Sequence, residues 1–224
     1  ALRMIDPRSL IYHLKASRFD AGIVLATAFS AVFISVEFCV LIGVFLSFLL
    51  AVPRAGRMLL TEFSISQGRK FAERLPEDER CKRIVMFGLE GELFFASAST
   101  LEAHFRTIEE RMTDGTRVLL LRLKRVRNPD AVCMHLLAQF ADRMSERGVA
   151  VLICGVRDDL YNAMLRTDFD MQAHEVFREQ KVRFNSTKMA VRRAYELLGN
   201  DVCDPCTRLT MTEQAAHCSA RQRV

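Results

Sequence analysis

Residues 21–52 read AGIVLATAFSAVFISVEFCVLIGVFLSFLLAV, thirty-two positions in which Glu37 is the only charged side chain. As one straight helix this stretch would run to roughly 48 Å, against a bilayer hydrocarbon core about 30 Å thick. A single span therefore fits poorly. Arg3, Arg8, Lys15 and Arg18 precede the stretch and Arg54 and Arg57 follow it, and basic flanks favour the cytoplasmic side. With both flanks on one side, the chain must enter and return. One leg is expected near Gly22–Ile34, a tip near Ser35–Phe38 and a second leg near Cys39–Val52, each short for a span, with neighbouring protein covering the backbone at the tip.

Glu37 then falls at the tip, either as an interfacial residue marking the turn or as a carboxylate beside an ion pathway, because acids in the hydrocarbon are costly. Two other readings fit less well. A signal peptide has a shorter apolar core ending at a small-residue cleavage site, and a soluble helix pair shows a polar stripe that is absent here.

Upstream, Asp6-Pro7 has the form of an N-cap with proline in the first helical position, and Leu10, Ile11 and Leu14 share a face. Residues 1–20 thus read as an amphipathic segment lying on the membrane surface. The chain opens with Ala1 directly into this approach and reads as the carboxyl end of a longer polypeptide. Residues 53–82 turn polar, with Gln67-Gly68-Arg69-Lys70 and Pro76-Glu77-Asp78-Glu79-Arg80, and read as a linker that is partly helical at best.

Residues 83–199 form a separate α/β module by period and punctuation. Ile84–Leu89 and Leu93–Ala96 flank Glu90-Gly91-Glu92 and suggest two strands about a glycine turn. Ser99 to Glu102 has the capping-box form, with Leu101, Phe105, Ile108 and Met112 following at helical spacing. Val118–Leu121 and Val149–Cys154 are continuous apolar strands of the kind covered on both faces. Pro129-Asp130 introduces a helix that Gly148 stops; Asp158 or Asp159 caps another; Val176-Phe177 suggests an edge strand; Ser186 caps a last helix closed by Gly199. The expected order is ββαβαβαβα.

The net charge of +5 divides into +3 for residues 1–60 and +2 for the rest, too mild and scattered for a nucleic-acid surface. Seven cysteines stand mostly singly in apolar segments and read as reduced thiols. Cys203-x-x-Cys206 with His217-Cys218 has zinc-type ligands without a finger spacing, so the reading is a disordered tail over residues 200–224 with no metal. No phosphate-binding loop, nucleophile elbow or His-Glu-x-x-His motif occurs, so neither an enzyme nor a cofactor is expected.

Gly91-Glu92-Leu93-Phe94-Phe95-Ala96-Ser97-Ala98 resembles the G-x-L-F-F-A-N-A signature of the STAS domains that end SulP (SLC26) anion transporters. Val36–Val44 is similar to the acidic tip and glycine-containing start of that family's last transmembrane helix. The resemblance implies an α/β STAS domain, like an anti-sigma-factor antagonist, with a mixed sheet and helices, preceded by a short transmembrane helical hairpin. It further implies the end of a multi-pass cell-membrane transporter for sulfate or a related inorganic anion, with a cytoplasmic STAS domain, a homodimeric state and a cytosolic protein partner. The substrate site would lie on helices outside this chain, leaving it unable to transport alone. A stand-alone membrane-tethered STAS signalling protein is the alternative.

Where the related antagonists present a phosphorylatable hydroxyl, this chain has Asp130-Ala131-Val132-Cys133-Met134, and Val132 has no hydroxyl to modify. Lys124, Arg125 and Arg127 precede that helix. With its N-terminus near Asp130 they suggest either a solvated loop or a positive corner for an acidic partner or a membrane lipid headgroup.

Overall fold

The computed structural model describes residues 18–33, 36–66, 70–75, 81–167, 169–180 and 185–199. The surface helix expected before residue 18, residue 35 of the tip expected over Ser35–Phe38, and the tail with Cys203, Cys206, His217 and Cys218 lie outside them. The chain divides into two compact units, Ala1–Ala55 and Gly56–Val224.

The first unit holds helices α1 (Arg18–Phe33) and α2 (Val36–Ala55). Cys39 Sγ donates to the Thr27 carbonyl at 3.0 Å, and a Cβ on Gly43 would stand 2.8 Å from Thr27 Cγ2. Thr27 and Gly43 lie eight residues either side of residue 35, so the helices run antiparallel and close-packed where glycine leaves room. At 20 residues α2 is about 30 Å long, enough to cross a hydrocarbon core, which corrects the expectation that both legs are short. By length and composition, Glu37–Ala55 is the candidate span among the described residues, and Ala21–Ser30 is apolar but shorter. Glu37 lies in the first turn of α2 rather than in the tip, where a carboxylate complements the helix dipole.

The second unit is a six-stranded sheet in the order β2-β1-β3-β4-β5-β6: β1 (Leu59–Ser66), β2 (Lys70–Glu73), β3 (Ile84–Glu92), β4 (Val118–Arg127), β5 (Ala150–Val156) and β6 (Glu175–Arg178). β1 pairs antiparallel with β2 and β3, whereas β3 to β6 are parallel. Helices α3 (Ala98–Arg111), α4 (Ala131–Glu146) and α5 (Asp158–Arg166) supply the crossovers. They cover one face through Phe105, Ile108, Leu137, Phe140, Leu160 and Met164, which meet Leu119, Leu121, Val151 and Ile153. Helix α6 (Asn185–Leu198) covers the other with Ala190, Val191 and Ala194 against Leu120 and Leu152. Both faces of β4 and β5 are thus buried, as their unbroken apolar runs predict.

Four expectations are corrected. The linker predicted over residues 53–82 contains β1 and β2, because Leu60 packs on one core and Phe63 and Ile65 on the other. Glu90-Gly91-Glu92 is the end of one strand rather than a turn; at Gly91 (φ +135°) a Cβ would meet the Arg57 carbonyl at 2.9 Å, so glycine permits close backbone approach. Leu93–Ala96 is therefore no strand, and the chain passes through a 3-10 turn, Phe95–Ser97. The capping assignments at Ser99, Asp158 or Asp159, and Ser186 also fail, since these residues lie inside the first turns.

Candidate interaction surface at the carboxyl ends of the parallel strands

The ends of β3 and β4 are cross-linked by two backbone bonds. Leu93 N–H donates to the Arg127 carbonyl and Asp130 N–H to the Leu93 carbonyl, each at 2.8 Å. These bonds place the start of α4 against the Phe94–Ser97 turn. Asp130 is the N-cap of α4, its Oδ1 accepting from Cys133 N–H at 2.9 Å, so a carboxylate already occupies the electropositive helix end. Cys133 is fully buried, its Sγ donating to the Phe94 carbonyl at 3.3 Å and lying 3.6 Å from Ser97 Oγ. Burial raises its pKa above the ordinary thiol value. The thiol fastens the first turn of α4 to the Phe94–Ser97 turn. Val132 and Phe95 are exposed apolar side chains on the same two segments.

Lys124, Arg125 and Arg127 do not form one positive corner. They belong to β4 rather than to a loop, and two of the three are neutralised by different acids. Lys124 Nζ bonds Glu179 Oε1, and Ser186 Oγ donates to Glu179 Oε2 at 2.8 Å. Burial alone would raise the Glu179 pKa, yet hydrogen bonds from Lys124 and Ser186 and the charges of Lys124 and Arg122 hold it below its ordinary 4.5. This ion pair lies on the α6 face beside Cys154, whose thiol burial pushes up to about 12.

Arg125 Nη1 donates to both carboxylate oxygens of Glu90, at 2.9 and 2.8 Å, and its guanidinium stays largely exposed. Arg127 is exposed and has no ion pair among the described residues. Sequence reasoning missed Glu90 and Glu179 as partners because register alone brings Glu90 opposite Arg125, and a bulge between Gly88 and Glu90 sets that register. It missed Arg57 and Leu59 at the same sheet end because β1 was read as linker.

Glu37 is exposed and ends a shallow groove of about 530 Å³ lined by Val40, Leu41, Val44, Phe45 and Phe48. Cys39, Cys81, Cys133 and Cys154 are free thiols, and no cluster of metal-ligating side chains occurs among the described residues.

Residues 76–183 match the STAS domain family. The fold is similar to that of murine Solute Carrier 26 family member A9, an anion transporter in its inward-facing state: TM-score 0.67, 17% identity, covering 87% of this chain and 31% of that one. A second SLC26A9 structure gives a TM-score of 0.64 at 16% identity, covering 86% of this chain and 33% of that one. A sulfate transporter family protein from Wolinella succinogenes is 31% identical over 51% of this chain and 87% of its own, with a TM-score of 0.40. The chain spans about a third of the length of the SLC26A9 chains. No curated protein sequence matches.

Proposed function

We propose that this chain, which belongs to the STAS-bearing SulP/SLC26 family, is the membrane-anchoring and regulatory end of a secondary anion transporter. The observation that carries the reading is the joining, in one chain, of a 30 Å-class apolar helix with exposed side chains to a STAS domain with its own core. The α1–α2 pair lies in the cell membrane of a multi-pass protein, and the STAS domain lies in the cytoplasm. The transported species is sulfate or a related inorganic anion. Its binding groups reside on helices other than α1 and α2, so this part does not transport alone and catalyses no covalent reaction. The STAS domain supports folding of the whole, regulates its rate or contacts a cytosolic partner, and the transporter works as a homodimer.

Support comes from the likeness in fold to SLC26A9, which reaches across 87% of this chain. A phosphorylation switch of the antagonist type is not part of the proposal, because Val132 stands at the acceptor position. The test is removal of Ile84–Gly199 from the complete transporter. The expected outcome is a clear fall in the amount of protein in the membrane or in anion uptake per molecule. Uptake and abundance both equal to those of the intact protein would refute the regulatory and folding role.

A further inference from the structure

The two compact units meet in sequence between Ala55 and Gly56, with no spare residues to serve as a linker. Helix α2 runs to Ala55, and the sheet unit takes hold of the chain at the next residue. Gly56 is buried, and a Cβ there would stand 2.5 Å from the Ala96 carbonyl oxygen. Its neighbours are held as closely. The Arg57 carbonyl oxygen is the atom that a Cβ on Gly91 would meet at 2.9 Å, Met58 is buried, and His104 Nε2–H donates to the Met58 carbonyl at 3.2 Å. Strand β1 then begins at Leu59. Residues 56–58 are therefore a fixed part of the sheet unit rather than a loose connector.

On the other side of the junction, α2 carries Pro53 in its last turn. In a regular helix the N–H groups of residues 53, 54 and 55 would bind the carbonyls of residues 49, 50 and 51. Proline has no N–H, so the Leu49 carbonyl loses its helical donor, and the ring disfavours the helical conformation at Val52. Helices bend at such points. Pro53 and Ala55 are exposed, so side-chain packing adds little restraint there.

We infer that the last turn of α2, around Pro53, is a built-in hinge on which the sheet unit reorients as a body. Compact units joined by a single chain crossing are expected to reorient. The clamp at residues 56–58 makes the hinge local: the motion is not spread along a linker and falls on the backbone angles of residues 49–55, at an element end of the kind that serves as a hinge. Such a hinge leaves the contact between Thr27 and Gly43 undisturbed, because Gly43 lies well before Pro53 in α2. The inference does not depend on α2 lying in a membrane.

The test uses the full chain in nanodiscs or detergent, with spin labels on an encoded keto side chain so that the native cysteines stay in place. One label replaces Leu25 in the helix pair and one replaces Thr107 in the sheet unit, both exposed positions. Double electron–electron resonance gives the distribution of their separations. A second pair, Thr107 with the exposed Lys188 on α6, gives the width for a rigid body. The distribution between the units should be the broader of the two. Pro53→Ala, which restores the N–H to Leu49, should narrow it about twofold.

A distribution between the units as narrow as that of the internal pair would overturn the inference, because the two units would then be one rigid body. A broad distribution that Pro53→Ala leaves unchanged would overturn it too, by placing the flexure elsewhere. Hydrogen exchange gives an independent reading of the same turn. The amides of Arg54 and Ala55 should exchange several-fold more slowly in the Pro53→Ala variant, and equal rates in the two proteins would contradict a hinge at Pro53.

Discussion

The second helix and the fourth strand are both rich in large apolar side chains, yet they treat water in opposite ways. In α2, Val40, Leu41, Val44, Phe45 and Phe48 are all more than 60% exposed, whereas Leu119, Leu120 and Leu121 in β4 are fully buried. A folded domain hides such groups from water, and a contiguous exposed apolar surface of this kind requires another apolar medium or partner. The same residue types therefore hold the sheet together in one unit and define the solvent of the other.

The largest expected effect separates the two units. Phe140→Ala removes a ring stacked on Phe105 at 4.1 Å between centroids and should destabilise the sheet unit by about 3–5 kcal/mol in denaturant titration. Phe45→Ala should leave that midpoint unchanged. Equal loss from both would erase the contrast.

Within the helix pair, Gly43→Leu drives a side chain into Thr27 and should cost about 1–3 kcal/mol of stability in nanodiscs, read by thermal unfolding. A neutral outcome would mean that the helices do not pack at that point. Asp130→Ala removes the cap of α4 and should cost about 1 kcal/mol, with Asp130→Asn recovering most of it.

The smallest effect is a pH dependence. Because the Glu179 pKa is lowered in the folded protein, its ion pair with Lys124 stabilises fully above the ordinary value of 4.5 and is lost as pH falls through the lower folded value. Glu179→Gln should therefore lower stability at neutral pH and converge with the parent sequence in acid. A constant difference down to strongly acidic pH would exclude the linkage.

What was legible in the sequence follows the same contrast. The unbroken apolar runs of β4 and β5 and the Gly-stopped helices α4 and α6 were readable because burial on both faces leaves a continuous signal. The strand β1, Leu-Leu-Thr-Glu-Phe-Ser-Ile-Ser, was not, because Leu59 is exposed and residues 60–65 are only half-buried, which leaves no continuous apolar run. Gly91 was misread as a turn because sequence does not distinguish a glycine that bends from one that admits another backbone. The basic run was legible as charge but not as a site: pairing of Lys124 with Glu179 and of Arg125 with Glu90 depends on residues 55 and 35 positions away.

The central claim is that α1 and α2 form a membrane hairpin that leaves both flanks on the cytoplasmic side. Single cysteines at Lys15 and Arg57, introduced after replacing the native thiols and probed with a membrane-impermeant maleimide on intact and opened cells, test it directly. Both positions should be protected in intact cells and labelled once the cytoplasmic side is opened. Labelling of Lys15→Cys and Arg57→Cys from opposite sides would contradict the hairpin and remove the physical basis for a cytoplasmic STAS domain.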